Sequence, residues 1–257
     1  MSVSSARNDL RPVADILDAQ RVLFIHAHPD DETIATGGTI ALLVARGANV
    51  TVLTSNRGEG GEVVAGNLSS LEGTEELGPY RAGEVLNAMA ALGVTDQRFL
   101  GSAEARASGK SPREYRDSGM QWGSDGFAIA DPNSPADAFC KVPFEEVLDD
   151  ARLVARETYP DAIVSYDERG GYGHPDHIRC HRIAAVLASE LDVPFYMVIP
   201  ATSSERVDYE VDVEPVFEQK VAALRAHQTQ LTVEGDSLVH SGGQRQVIDR
   251  VERFRQH

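Results

Sequence analysis

Arg21-Val22-Leu23-Phe24-Ile25-His26-Ala27-His28-Pro29-Asp30-Asp31-Glu32 is the stretch that decides the fold. Val22 to Ile25 form a short continuous apolar run, the pattern of a strand buried on both faces of a parallel sheet. The run ends in an imidazole followed by three carboxylates, and the period then changes. Ile34, Ile40, Ala41, Leu43 and Val44 recur at helical spacing. Pro29 suits a first helical position, where its missing N–H costs no intrahelical bond. That places His28 at the N-cap and Asp31 three residues on, sharing one face of the first turn, with Asp30 between them. The positive end of a helix favours acidic residues by roughly 0.3–1 kcal/mol each, which accounts for one or two carboxylates. It does not account for a histidine beside three of them at the carboxyl end of a buried strand, where open α/β sheets place their ligands.

Outward from that stretch, strand and helix alternate. Gly47-Ala48-Asn49 stops the first helix and Val50 to Thr54 is a second β run. Residues 55–78 are rich in Gly and Glu, a loop that faces the same crevice. Residues 80–92 carry Val85, Leu86, Met89 and Leu92 at helical spacing, and Arg98-Phe99-Leu100 is a short third strand. From 101 to 143 the pattern dissolves, as in lids and binding loops, and 103–112 also reads as a disordered insertion. Residues 144–159 are an amphipathic helix, 162–166 a buried strand, 178–187 a helix, 193–199 a strand and 213–224 a helix, with a terminal helix expected over 247–254. The expectation is an α/β fold: one domain over residues 1–257, a Rossmann-like, mostly parallel sheet with helices on both faces. Its core spans about 21–227, and 228–257 is unassigned.

Composition narrows the partners. Lys and Arg number 24 against 40 Asp and Glu, a formal net charge of −16, which repels a phosphate backbone and makes nucleic acid an improbable partner. A neutral or cationic small molecule is easier to accommodate. Cys140 and Cys180 are too few for a disulfide framework and lack metal-ligand spacing; they fit a reducing cytosol. The polar opening, residues 1–20, has no apolar core of a secretory signal, and no run of 18 apolar residues occurs. A cytoplasmic protein without a membrane partner is expected, and a homo-oligomer is compatible with the sequence.

His174-Pro175-Asp176-His177 repeats the grammar of His28-Pro29-Asp30-Asp31 after another buried strand. Two such strand ends opening on one crevice bring His28, Asp31 and His177 together as two imidazoles and one carboxylate. That set matches catalytic zinc and equally the facial triad of non-haem iron(II). Asp30, adjacent in sequence to a ligand, supplies the general base that a hydrolase requires and an oxygenase does not. His26 reads as a core histidine or one that supports a ligand. A nucleotide-binding module is the competing class, but no GxGxxG follows any expected strand. A metal-binding protein without catalysis would have no use for Asp30.

The paired motifs, with Gly58-Glu59-Gly60-Gly61-Glu62-Val63, Tyr80-Arg81, Arg116-Asp117-Ser118-Gly119-Met120, Tyr166-Asp167 and Gly170 to His177, resemble the zinc-dependent de-N-acetylases of the LmbE/PIG-L family. The likeness spans roughly residues 21–200. It is nearest to the subfamily that deacetylates N-acetylglucosaminyl-inositol in mycothiol biosynthesis, with the mycothiol S-conjugate amidases and deacetylases of other N-acetylglucosamine compounds as alternatives. The resemblance implies a Zn2+ site, with Fe2+ as the other ion, held by His28, Asp31 and His177, and Asp30 as general base. It further implies that His174 is a cationic partner of the tetrahedral intermediate, oriented by Asp176, and that Tyr172 polarises the amide carbonyl. Glu62, Arg81 and Asp117 are implied as contacts to an amino-sugar substrate. A long insertion at 102–115 and the C-terminal third depart from the family pattern.

Overall fold

In the computed structural model, which describes residues 15–257, the apolar run becomes β1 (Arg21–His26), an inner strand of a seven-stranded sheet. Of the stretch read as lacking a secretory signal, residues 1–14 lie outside the described residues. The chain continues through α1 (Asp31–Ala45), β2 (Asn49–Thr54), α2 (Leu77–Leu92), β3 (Asp96–Phe99), β4 (Met120–Trp122), β5 (Ala128–Ala130), α3 (Phe144–Thr158) and β6 (Ala162–Tyr166). After the single turn α4 (Gly170–Gly173) come α5 (Pro175–Leu191), β7 (Phe195–Val198), β8 (Tyr209–Asp212), α6 (Phe217–Leu224), β9 (Leu231–Glu234), β10 (Ser237–His240), β11 (Arg245–Val247) and β12 (Val251–Gln256).

The sheet order is β3-β2-β1-β6-β7-β12-β8. The first five strands are parallel, and β12 runs antiparallel to both β7 and β8. Alternation along β1 builds two layers at once. Val22 and Phe24 pack with Ile40, Leu43, Val85 and Met89 of α1 and α2 on one face. Leu23 and Ile25 pack with Val147, Leu148, Ile183 and Leu187 of α3 and α5 on the other. The mostly parallel, doubly covered single domain is therefore as expected. Because β2 and β3 lie on one side of β1 and β6 and β7 on the other, the strand order reverses between β1 and β6. This is the switch point at which such sheets open a crevice, and both His-Pro-Asp motifs sit there.

Four expectations are corrected. First, α1 begins at Asp31, not Pro29; Asp30 occupies the cap with φ 93°, which breaks helical geometry. Second, residues 247–254 are not a helix. The apolar spacing of Val247, Ile248, Val251 and Phe254 suits one, but Val251–Gln256 pairs with β7 and β8. Its inward positions are Glu252 and Phe254, both buried, so a buried carboxylate masks the alternation that would have betrayed a strand. Glu252 is satisfied by Lys220 Nζ at 2.7 Å and by the backbone N–H groups of Gly38 and Thr39, each at 2.8 Å. Third, the helix expected over 213–224 starts only at Phe217, behind β8, which the sequence reading lacked. Fourth, residues 103–112 are ordered. Ala105 and Tyr115 are buried, the Tyr115 hydroxyl donates to Asp150 Oδ2 at 2.6 Å, and Arg106 reaches both Asp150 and Glu146. The unassigned C-terminal segment forms the β9–β11 meander, whose Leu231, Leu238 and Ile248 pack under α6, followed by β12.

Candidate metal and catalytic site

The two turns that open the crevice are built differently. After β1, the N–H and Nδ1 of His28 both face Asp31 Oδ2, at 2.9 and 3.2 Å, so residues 28–31 close as a tight turn ahead of the helix. Asp30 takes the strained φ, and its side chain makes no capping hydrogen bond. A non-glycine residue in such a region costs roughly 1–3 kcal/mol. After β6, Asp167 Oδ1 accepts from the N–H groups of Arg169 and Gly171, turning the chain through α4. His174 then caps α5 conventionally. Its Nδ1 accepts from the N–H of Asp176 at 3.2 Å, and Pro175 takes the first helical position.

These turns bring His28, Asp31 and His177 together. His28 Nδ1 lies 3.2 Å from Asp31 Oδ2 and 3.3 Å from His177 Nε2, and His177 Nε2 lies 3.3 Å from Asp31 Oδ2. A tetrahedral ion with N and O ligands at 2.0–2.1 Å holds those ligands about 3.3 Å apart, so the triangle is one face of such a tetrahedron. The donor set fits a metal ion. His28, His174 and His177 also offer ring nitrogens within 4.8 Å of one another, as do His28, Asp117 and Asp176 through ring nitrogen and carboxylate oxygens. The three atoms with near-equal edges make the better cage. The two imidazoles are backed through their other ring nitrogens, as metal ligands require, while Asp31 is held at the donor oxygen itself. His28 Nε2 faces Asp176 Oδ2 at 3.3 Å, His177 Nδ1 faces the Gly170 carbonyl at 3.3 Å, and the Tyr166 hydroxyl donates to Asp31 Oδ2 at 2.7 Å. Gly170 sits at φ 65°, and a Cβ there would come within 2.8 Å of His177 Cβ.

The surroundings favour positive charge at the triangle. Burial opposes a proton on His28, but Asp117, Asp176 and Asp31 raise its pKa well above the ordinary imidazole value. Burial would likewise raise Asp31, yet His177 and His28 hold it well below the usual carboxylate range. Asp30 is the opposite case: burial, then the Asp31 carboxylate beside it, pushes its carboxyl up to about 8.

Several expectations change with the geometry. The Asp176 carboxylate does not orient His174. It accepts from Asn56 Nδ2 at 3.1 Å, from the Ser118 N–H at 3.1 Å and from the Ser118 hydroxyl, and it backs His28. His174 is held by the Asp176 backbone instead. Burial, with the His28 and His177 imidazoles beside it, pushes His174 down to about 2, so it rests neutral rather than cationic. Because its Nδ1 accepts an N–H, its proton sits on Nε2. Tyr172 is 41% exposed, with its ring centroid 5.1 Å from that of His177 and 6.1 Å from that of His174. His26 is a core residue, as expected, bonded to Thr36 Oγ1 at 3.1 Å.

Of the three expected sugar contacts, Asp117 lies nearest the triangle, 3.6 Å from His28 Nε2. Arg81 is buried, and its guanidinium donates to the carbonyls of Gly58 and Glu62 and to Thr229 Oγ1, bracing the glycine-rich loop. Glu62 is exposed and accepts from Ser241 at 3.2 Å. Sequence reasoning missed the supporting roles of Tyr166, Asn56 and Ser118. It also missed the buried pair Glu32–His227 at 3.2 Å beneath Asp30. Tyr166 and Ser118 left a signal as members of motifs that carry the family resemblance, and Asn56 left none.

Fold and site together define an α/β enzyme with a metal-competent His-Asp-His set at its switch point. The chain belongs to the PIG-L family, described as GlcNAc-PI de-N-acetylase, whose profile matches residues 23–188, and it is a deacetylase. It is 38% identical to the 1D-myo-inositol 2-acetamido-2-deoxy-alpha-D-glucopyranoside deacetylase of Saccharomonospora viridis, covering 91% of this chain and 93% of that one. It is 36% identical to the enzyme of the same name from Thermobifida fusca, covering 93% of each. Among solved structures it is similar to N,N'-diacetylchitobiose deacetylase from Pyrococcus horikoshii, with a TM-score of 0.61 and 23% identity over 93% of this chain and 84% of that one. Teicoplanin deacetylase Orf2 in its zinc-inhibited form gives a TM-score of 0.56 and 22% identity over 81% and 84%. At these identities the solved structures speak to the fold. Among the described residues, no helix is long and apolar enough to cross a membrane.

Proposed function

We propose that this deacetylase removes the acetyl group from N-acetylglucosaminyl-inositol, 1D-myo-inositol 2-acetamido-2-deoxy-alpha-D-glucopyranoside, in mycothiol biosynthesis. The reading adopts the activity named for relatives that align over nine-tenths of the chain. The observation that carries the chemistry is the near-equilateral triangle of His28 Nδ1, Asp31 Oδ2 and His177 Nε2 beside an uncapping Asp30. These three residues would hold Zn2+, with Fe2+ as the alternative ion; when bound, the ion polarises the acetamide carbonyl and acidifies water. Asp30 takes the proton from the attacking water and passes it to the departing amine. The His174 Nε2–H and the Tyr172 phenol donate to the carbonyl oxygen as it gains charge. A neutral imidazole donor suits this task, since it needs no proton from solvent. Asp176 orients His28 through Nε2, while Asp117, Arg81 and Glu62 line the sugar side, with Arg81 acting also as the loop's brace. Residues 1–257 are read as one deacetylase domain acting on a small sugar in the cytoplasm, which the free thiols of Cys140 and Cys180 support.

The test is metal content and release of free amine. Purified protein should carry about one ion per chain and liberate amine from N-acetylglucosaminyl-inositol. Stripping with a chelator should abolish turnover and added Zn2+ or Fe2+ should restore it. Undiminished turnover after complete stripping would refute the metal-dependent reading.

A further inference from the structure

The chain has a single tryptophan, Trp122, and it is 61% exposed at the mouth of the site. Exposure alone carries nothing, since Tyr159 is more exposed still; what sets Trp122 apart is its place beside the site, where tryptophan is among the side chains most often used as an anchor. Trp122 stands on β4 of the two-stranded hairpin in the stretch where the sequence lost its pattern. Its cross-strand partner is Ala128, with Met120 opposite Ala130 on the same face, so only small side chains stand opposite the indole. The hairpin lies backbone-to-backbone against the turn that precedes α5. Gly173 sits at φ 98°, and a Cβ there would meet the Ala128 carbonyl at 2.7 Å, so the hairpin and α4 approach as closely as backbone allows. The Trp122 and Tyr172 rings lie 5.8 Å apart at 40°, and Tyr172 meets His177 edge-on at 5.1 Å. Tyr172, His177 and Trp122 thus form a row of rings leading from the donor triangle to solvent. Among the described residues, the indole N–H donates to no protein group.

We propose that Trp122 is the stacking platform for the second ring of a two-ring N-acetylated amino sugar. Its indole covers the C–H face of the ring that lies beyond the one carrying the acetamide. This inference rests on the deacetylase reading of the site and deepens it. The position argues for the second ring: with the acetamide carbonyl at the triangle, the first ring lies alongside Tyr172, and Trp122 is one ring further out. The chemistry argues for a sugar or cyclitol. An uncharged ring offers an apolar C–H face to the indole and hydroxyls to water and to the indole N–H, and it escapes the repulsion that an anion would meet in a protein of net charge −16. Gln121 and Ile129 occupy the other face of the hairpin, so the selectivity resides in Trp122 and not in the hairpin as a whole.

Because Trp122 is the only indole, its fluorescence reports on this position directly. Metal-loaded wild-type protein should be titrated with the non-reacting amine products, glucosaminyl-inositol and glucosamine, and turnover measured on the two acetylated sugars. The expected result is a saturable change in Trp122 emission with glucosaminyl-inositol and none with glucosamine. Trp122→Ala should raise KM for N-acetylglucosaminyl-inositol about three- to tenfold more than for N-acetylglucosamine, the range for one aromatic stack, and Trp122→Phe should recover most of that difference. An emission that ignores both products, or a Trp122→Ala effect equal on both sugars, overturns the proposal while amine release leaves the deacetylase reading standing. No amine released from either sugar by the metal-loaded wild type overturns both.

Discussion

The turn after β1 and the turn after β6 share one four-residue grammar and use it in opposite ways. In the second, the histidine caps the helix, and the aspartate two residues on gives its N–H to that cap while its carboxylate points inward to His28. In the first, the chain refuses the helix for two more residues. Asp30 takes the cap position at φ 93° without capping, and its carboxylate is left without a structural duty. The difference teaches that backbone conformation decides whether this aspartate is tied into the fold or left free: Asp176 is bonded on all sides as a support, while Asp30 is free for the reagent's role proposed above.

The comparison breaks most visibly at the ligands. His177→Ala should lose most of the bound metal and essentially all turnover, read by elemental analysis of a folded protein. Stoichiometric metal in that variant would mean the triangle is not the site. Next, Asp30→Asn should keep the metal and lose rate by about 10²–10⁴. In the wild type kcat/KM should rise with pH as Asp30 loses its proton. The carboxyl is at about 8 without an ion, and a nearby cation favours the charged form, so the midpoint of this acid limb should fall below 8. Asp30→Asn should remove the limb, and one that persists unchanged belongs to another group. Asp176→Asn, the equivalent change in the second turn, should weaken metal affinity by about 10- to 100-fold while the loaded enzyme keeps more activity than Asp30→Asn. If Asp176→Asn loses rate and not metal, the two aspartates have the same kind of role. The smallest effect is the most specific: Asp30→Gly should relieve a strain of roughly 1–3 kcal/mol and raise Tm by a few degrees in a protein that no longer turns over. A lower Tm would show that the φ of Asp30 is not a stored cost.

Much of this was legible because it is local. Val22 to Ile25 announce a strand by composition, and His28, Asp31 and His177 announce a donor set by adjacency to strand ends. What the sequence hid depends on partners distant along the chain. The hydroxyl of Tyr166 meets Asp31 across 135 residues and the amide of Asn56 meets Asp176 across 120; neither spacing carries a local signature. Arg81 reads as a sugar contact through the family resemblance alone; its bracing of the glycine-rich loop through the Gly58 and Glu62 carbonyls and Thr229 has no local signature. Glu252 was hidden by its own chemistry, a carboxylate where the period-2 pattern calls for an apolar side chain.

That same glutamate sets an order of events. Its two oxygens take the N–H groups of Gly38 and Thr39 in the middle of α1, the helix whose first residue is Asp31, and the bond to Gly38 spans 214 residues. On the ribosome the first metal motif therefore emerges long before the strand that pins its helix, and a contact so distant along the chain is slow to form. A nascent chain displays His28 and Asp31 early, but the clamp on their helix arrives only when the last strand of the sheet pairs. On the proposed reading, an ion taken up by this donor set meets a fully braced helix only in the finished fold.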